Sequence, residues 1–209
     1  MESSGSAGPP SLAERAKAII LTPKSEWKRI TGEDDTTTRT VTTGYFVPLA
    51  LLGPVCGVIG TILYGGNSIG PYAEAYHPSL VSAVIGAAVA FVLTLISFFL
   101  LTVVADLLAR KFGAQQGSDR AFKLIAYSAT PALLVGILSI WPPLAPLHIL
   151  AFYGLYLLYT GAVPMLEMPQ DKAMPYTIVL VLCAFVLNLI IGALSVANMA
   201  LLGGMGLLS

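Results

Sequence analysis

The chain has 209 residues, of which 56% are hydrophobic and only 11% are charged, and its mean hydropathy is +0.81. Soluble domains carry about 25% charged residues, so this composition excludes an ordinary water-soluble protein. The formal net charge is zero, which argues against nucleic acid as a partner, because neutralising phosphates requires an excess of Lys and Arg.

The N-terminal segment, residues 1–43, is predicted to be cytoplasmic and to carry short amphipathic helices. Ser11 and Glu14 have the spacing of a capping box, so a helix should begin there. This helix should end at Thr22, which precedes a proline. Residues 31–43 are acidic and rich in threonine, which is typical of a flexible connector.

A second short helical turn follows the first, and it combines an aromatic ring with cations. Trp27 is flanked by Lys24, Lys28 and Arg29. Tryptophan and basic side chains are typical of helices that lie at a membrane interface. We therefore expect these four residues to contact lipid headgroups or a partner, and a solvated linker helix is the alternative.

Five apolar stretches are each long enough to cross a membrane, because about 20 helical residues span a hydrocarbon core of roughly 30 Å. None contains Lys, Arg, Asp or Glu, and none alternates as a β-barrel strand would. The predicted fold is all-α: a polytopic bundle of five transmembrane helices in residues 44–200, with a C-terminal tail at 201–209. The spans are Gly44–Tyr64, Ser79–Ala105, Leu124–Trp141, Leu144–Val163 and Tyr176–Asn198.

The cations predict the orientation of these spans, because loops rich in Lys and Arg stay in the cytoplasm. All eleven Lys and Arg residues precede the first span, join the second to the third, or join the fourth to the fifth. Five crossings then place the N-terminus in the cytoplasm and the C-terminus outside. The sequence thus predicts a multi-pass protein of the cell inner membrane.

Glycines inside the spans indicate close helix packing. Gly53 and Gly57 form a GxxxG pattern on the first span, and Gly60 follows three residues later. Gly86 lies in a similar pattern of small residues on the second span. We expect these two faces to pack directly on each other.

Polar side chains at mid-membrane depth indicate a second candidate site. Asn188 lies near the middle of the fifth span, and Tyr153 and Tyr156 share a face of the fourth span at similar depth. Unpaired polar groups are costly in hydrocarbon, so we expect the three residues to form a small polar cluster. This cluster either contacts a ligand or joins the helices by hydrogen bonds, typically worth about 0.6 kcal/mol each.

The sequence carries no motif for catalysis or for cofactor binding. It contains no G-x-S-x-G elbow, no Walker loop, no H-E-x-x-H motif and no carboxylate pair within a span. The two histidines and two cysteines lack ligand-type residues at metal-binding spacing. The sequence therefore predicts neither an enzyme nor a cofactor or metal site.

Three stretches, taken in their order and spacing along the chain, are similar to segments of one known family. They are Ile20–Trp27, Tyr127–Pro131, and Tyr156–Gly161 followed by Met168–Ala173. On these stretches, residues 16–198 resemble the Yip1 domain family, in its short bacterial branch.

The resemblance implies a five-helix membrane protein with a cytoplasmic N-terminus. Eukaryotic relatives act in vesicle trafficking and associate with small GTPases and with one another. Their Asp-Leu-Tyr-Gly-Pro motif is missing, since the nearest sequence begins Asp106-Leu107-Leu108, so GTPase binding is not carried over.

Two classes of function fit this description. We expect a membrane organiser or partner-binding adaptor, whose partners are membrane lipids and other membrane proteins or a second copy of itself. The alternative is a small solute or ion transporter or channel, in which proline-kinked spans and the polar cluster would line a path. An odd number of spans without a visible inverted repeat argues against the usual transporter architectures.

Overall fold

The computed structural model describes residues 10–33, 36–65 and 79–204, with side chains as far as residue 194. The described residues form α-helices joined by short π-helical and 3₁₀ segments, and they contain no β-strand. The α-helices are α1 (Leu12–Leu21), α2 (Pro23–Thr31), α3 (Thr38–Val41), α4 (Val47–Tyr64), α5 (Leu80–Lys111), α6 (Ser118–Ser128), α7 (Thr130–Val135), α8 (Tyr153–Leu166) and α9 (Gln170–Gly204).

In the described part of the chain, five helical stretches are long and apolar enough to cross a membrane, which confirms the predicted all-α, five-span architecture. The helix type changes within the first, third and fourth stretches, whereas the second is α5 alone and the fifth belongs to α9. Of the predicted tail at 201–209, residues 205–209 lie outside the described part of the chain. The stretches are Thr38–Tyr64, Leu80–Lys111, Ser118–Ile140, Pro142–Leu166 and Gln170–Leu194.

The first span begins earlier than predicted, inside the segment that we expected to be a flexible connector. Thr37 caps α3, since its side chain accepts a hydrogen bond from the backbone N–H of Thr40 at 3.2 Å. A π-helical turn, Thr42–Phe46, then leads into α4 without a break. Because Pro48 has no N–H to donate, the wider turn accommodates the chain at this point.

The third and fourth spans are not the continuous α-helices that their apolar sequences predict. Beyond α7 the third span narrows to a 3₁₀ helix at Gly136–Ile140, and the fourth begins with another at Pro142–Phe152. Prolines 142, 143 and 146 have no N–H to donate, and the chain forms a 3₁₀ helix through this proline-rich stretch, where an α-helix from Leu144 was predicted. The fourth span becomes α-helical only at Tyr153.

A hydrogen-bonded pair joins the first span to the break in the third. The Thr130 hydroxyl donates to the carbonyl oxygen of Tyr127 at 2.6 Å, and the Tyr45 hydroxyl lies 2.7 Å from the Thr130 hydroxyl. Since the single Thr130 hydrogen is already used, Tyr45 is the donor to Thr130. Both side chains are buried, so this contact satisfies polar groups where the third span bends before Pro131.

Aromatic packing fills the space between the first three spans. Phe46 stacks on Phe98 with ring centroids 3.6 Å apart, and Phe98 meets Phe122 edge to face at 5.1 Å. All three rings are buried. These contacts hold α5 and α6 against the start of α4.

Glycine packing differs from the prediction. Gly53 and Gly60 of α4 lie against the 3₁₀ part of the third span, where a Cβ on Gly60 would collide with the Ser139 carbonyl. Gly57 and Gly86 have open space beside them, so the two predicted faces do not meet at these glycines. Residues seven apart lie almost two full turns from each other, so Gly53 and Gly60 share a line from which Gly57 is displaced.

The close approach at Gly53 makes a testable prediction about packing. A Cβ on Gly136 would lie 2.7 Å from the Cα of Gly53, so Gly136→Ala should destabilise the protein by about 1–3 kcal/mol. Gly57→Ala is the matched control, because nothing lies within 4 Å and alanine favours a helix by roughly 0.5–1 kcal/mol. Thermal unfolding in detergent measures both. Equal effects of the two substitutions would contradict the described contact between the first and third spans.

Candidate functional site

The N-terminal hairpin, which consists of α1 and α2, lies at the same end of the bundle as the cationic loops. Ser11 and Glu14 form the predicted capping box, with the Ser11 N–H donating to the Glu14 carboxylate at 2.8 Å. The hydrogen bonds from Ser11 lower the pKa of Glu14 below its ordinary value. Thr22 separates the two helices, and Pro23 opens α2, where a missing N–H costs nothing.

Trp27 is fully buried, which corrects the expectation that it lies at the lipid interface. Its indole packs against Leu124 of α6 and Gly161 of α8, and its ring meets Tyr127 edge to face at 6.3 Å. A Cβ on Gly161 would lie 2.5 Å from the indole, so only glycine leaves room for it. An amphipathic helix can turn its apolar face to protein or to lipid, and here it turns to protein.

A buried ionic network holds the two helices of the hairpin together. Arg15 contacts the carboxylate of Glu26 at 2.5 Å and that of Glu33 at 2.6 Å, and Arg15 and Glu26 are each only 5% exposed. The Arg15 guanidinium also lies 5.7 Å from the centre of the Tyr127 ring. Burial acts to lower the pKa of Arg15, but the hydrogen bond to Glu33 and the nearby carboxylates outweigh it and raise the pKa.

The network also ties the hairpin to the bundle. Lys123 of α6 donates to the backbone carbonyl of Glu33 at 3.2 Å, and the Tyr153 hydroxyl donates to the carbonyl of Ile20 at 2.9 Å. Ile20 lies at the C-terminal end of α1, whose last carbonyls need partners from outside the helix. The hairpin is therefore anchored to α6 and to the start of α8.

The three cations that we expected to contact lipid or a partner lie outside the buried face of the hairpin. Lys24, Lys28 and Arg29 are all exposed, and Lys24 and Lys28 are one helical turn apart on α2. Arg29 makes only a loose contact, 3.6 Å from Glu33, with half of its side chain exposed. We call these three residues the basic face of the hairpin.

The predicted polar cluster does not form. The Asn188 amide donates to the carbonyl of Ala184 in its own helix at 2.9 Å. The Tyr153 hydroxyl instead donates to the Ile20 carbonyl. The ring of Tyr156 contacts the ring of Tyr153, with centroids 5.4 Å apart. A helix carbonyl one turn earlier can accept a second hydrogen bond from a polar side chain, so the Asn188 amide has a partner within its own helix.

Sequence reasoning missed the ionic network. Glu26 and Glu33 lie 11 and 18 positions after Arg15 in the sequence. Such long separations do not produce a local sequence pattern. The available hint was that Arg15 and Glu26 recur on the same faces as Ile19 and Ile30, which are themselves buried. Charged residues on an otherwise apolar helix face indicate a buried pair.

Breaking the network should release the hairpin. Arg15→Leu leaves the carboxylate of Glu26 buried without its cation, and losing one partner of a buried pair costs about 3–5 kcal/mol. Limited proteolysis in detergent should then cleave the hairpin several times faster than in the unaltered protein. Arg29→Gln is the matched control, because exposed pairs contribute about 0–1 kcal/mol. If both variants resist protease equally, the network does not hold the hairpin.

Comparison with known proteins identifies the family of this chain. A search of curated proteins and a search of solved structures each gave no significant match. The sequence model of the Yip1 domain, by contrast, matches residues 17–204. This region contains all five apolar stretches as well as most of the N-terminal hairpin. The chain is therefore a multi-pass membrane protein that belongs to the Yip1 domain family.

Proposed function

We propose that the protein is a non-catalytic membrane organiser or adaptor, which binds an anionic partner through the basic face of its N-terminal hairpin. The observation that carries this proposal is the contrast between the two faces of α2. Trp27 and Glu26 are buried, whereas Lys24 and Lys28 are exposed. The hairpin thus presents cations on a surface whose opposite side is fixed to the membrane bundle.

Anchoring of the hairpin favours binding. A disordered basic tail must become ordered when it binds, and each immobilised side chain and backbone segment then costs conformational entropy. Here Trp27, the Arg15 network and the bond from Tyr153 already hold α1 and α2 in place. The basic face is therefore a preorganised surface for carboxylates or anionic lipid headgroups.

The proposed setting is a bacterial inner membrane, with the N-terminus in the cytoplasm and the C-terminus outside. The distribution of cations supports this orientation, because the described Lys and Arg residues outside the hairpin lie at a single end of the bundle. They occur in α3, at the C-terminal end of α5, in the first half of α6 and at the start of α9.

A crosslinking experiment tests the role of the basic face. A photoreactive amino acid at Ser25, which is exposed between the cations, should capture a defined membrane partner in native membranes. Replacing Lys24, Lys28 and Arg29 together by Gln should reduce the yield several-fold, because the electrostatic attraction is lost. High salt should weaken capture by the unaltered protein in the same direction.

The matched control for this experiment replaces Lys111 and Lys172 by Gln. Both are exposed cations at the same end of the bundle, outside the hairpin. Capture should survive in this variant. An unchanged set of crosslinked partners in the triple variant would reject the basic face as a binding surface.

Reporter fusions test the orientation. A reporter that is active only in the cytoplasm should work when fused to the N-terminus and fail when fused after residue 209, because five crossings place the two ends on opposite sides. A periplasmic reporter should give the reverse result. Activity of one reporter at both ends would contradict the proposed topology.

A further inference from the structure

A polar cleft lies apart from the basic face, between the start of α3 and the start of α6. It has a volume of about 600 Å³ and is lined on one side by residues 36–39 and on the other by residues 116–120 and Lys123. Among the residues that the structure describes, the lining contains three cations, Arg39, Arg120 and Lys123, and one carboxylate, that of Asp119. That carboxylate accepts a hydrogen bond from the Thr38 hydroxyl at 2.6 Å.

Arg120, which lines this cleft, carries a buried donor that the described chain leaves without a partner. Its Nη1 atom is buried and has no hydrogen-bond partner in the part of the chain that the structure describes. A buried guanidinium N–H without an acceptor is costly, because its hydration is lost and nothing replaces it. Arg15, the buried arginine of the hairpin, by contrast contacts the carboxylates of Glu26 and Glu33 at 2.5–2.6 Å.

The start of α6 adds backbone donors to the same cleft. Gly117 is the N-cap residue, and with no side chain it provides no cap for the free N–H groups of the first turn. Ser118 and Asp119, whose N–H groups open this helix of 11 residues, both line the cleft. The helix dipole places partial positive charge at this end, so an anion is favoured there.

We propose that the cleft binds a phosphate group. It combines a buried Arg120 nitrogen that has no hydrogen-bond partner among the described residues, the two further cations Arg39 and Lys123, and the uncapped start of α6. Tetrahedral phosphate oxygens suit a planar guanidinium and backbone N–H groups together, whereas a carboxylate offers fewer acceptor directions. Lys123, which already bonds to the Glu33 carbonyl, would link an occupied cleft to the residue that also binds Arg15. The phosphate comes either from a lipid headgroup or from a soluble phosphate compound.

Thermal unfolding in nanodiscs tests this proposal and distinguishes the two sources. In the first arm, protein in phosphatidylcholine discs is titrated with inorganic phosphate, with sodium chloride at equal ionic strength as the blank. In the second, phosphatidic acid replaces part of the phosphatidylcholine. A saturable rise in Tm is expected in at least one arm, because a ligand that binds only the folded state stabilises it.

Two variants make the test specific to the cleft. Arg120→Gln and Arg39→Gln should each raise the apparent Kd for phosphate at least about tenfold, since a hydrogen bond between charged groups is lost. Without phosphate, Arg120→Gln should leave Tm unchanged or raise it, because it removes a guanidinium whose buried Nη1 atom has no hydrogen-bond partner among the described residues. A purely structural role for Arg120 predicts the opposite, a lower Tm.

Lys172→Gln is the matched control, because it removes an exposed cation at the same end of the bundle that belongs neither to the cleft lining nor to the basic face. Its response to phosphate should equal that of the unaltered protein. The proposal is overturned if neither arm raises Tm, if Arg120→Gln retains the full response, or if Lys172→Gln loses it equally. None of these outcomes bears on partner capture by the basic face, so the two proposals fail separately.

Discussion

The packing of Trp27 against Gly161 fixes how the N-terminal hairpin relates to the membrane bundle. An indole ring buries a large apolar area, and here it does so at a position where the neighbouring helix has no side chain. Once α2 lies in this groove, Glu26 is necessarily enclosed, and it requires the cation that Arg15 supplies. The ionic network is thus a consequence of the aromatic contact, and it makes the contact specific for one arrangement of the two helices.

The same contact determines which side of the hairpin remains available. With Glu26, Trp27 and Ile30 turned inward, Lys24 and Lys28 remain on the exposed side of α2, because they lie almost opposite Glu26 around the helix. The cleft between α3 and α6 arises separately, from the early start of the first span and the uncapped start of α6. The cationic end of the bundle therefore has two distinct surfaces, the exposed basic face of α2 and a cleft that contains the buried Nη1 atom of Arg120.

Prolines and glycines shape the half of the bundle that lies away from the cationic loops. Three prolines, which have no N–H to donate, follow Trp141 in a 3₁₀ helix where the composition favours a continuous α-helical span, and the third span is also 3₁₀-helical just before them. A narrower helix needs a close neighbour to bury its backbone, and Gly53 and Gly60 allow α4 to approach it. The glycines of α4 thus allow close packing against the irregular part of the third span.

The sequence by itself determined the features that depend on local composition and on the cost of exposing backbone to hydrocarbon. These include the five spans, the capping box at Ser11, the family, and the exposure of Lys24 and Lys28. Only the tertiary structure decided what each apolar or polar face contacts. Trp27 meets protein instead of lipid, Asn188 bonds within its own helix, and Arg15 finds carboxylates far away in sequence. Periodicity defines a face but not its partner, because hydrocarbon tails and packed side chains are equally acceptable neighbours for an apolar surface.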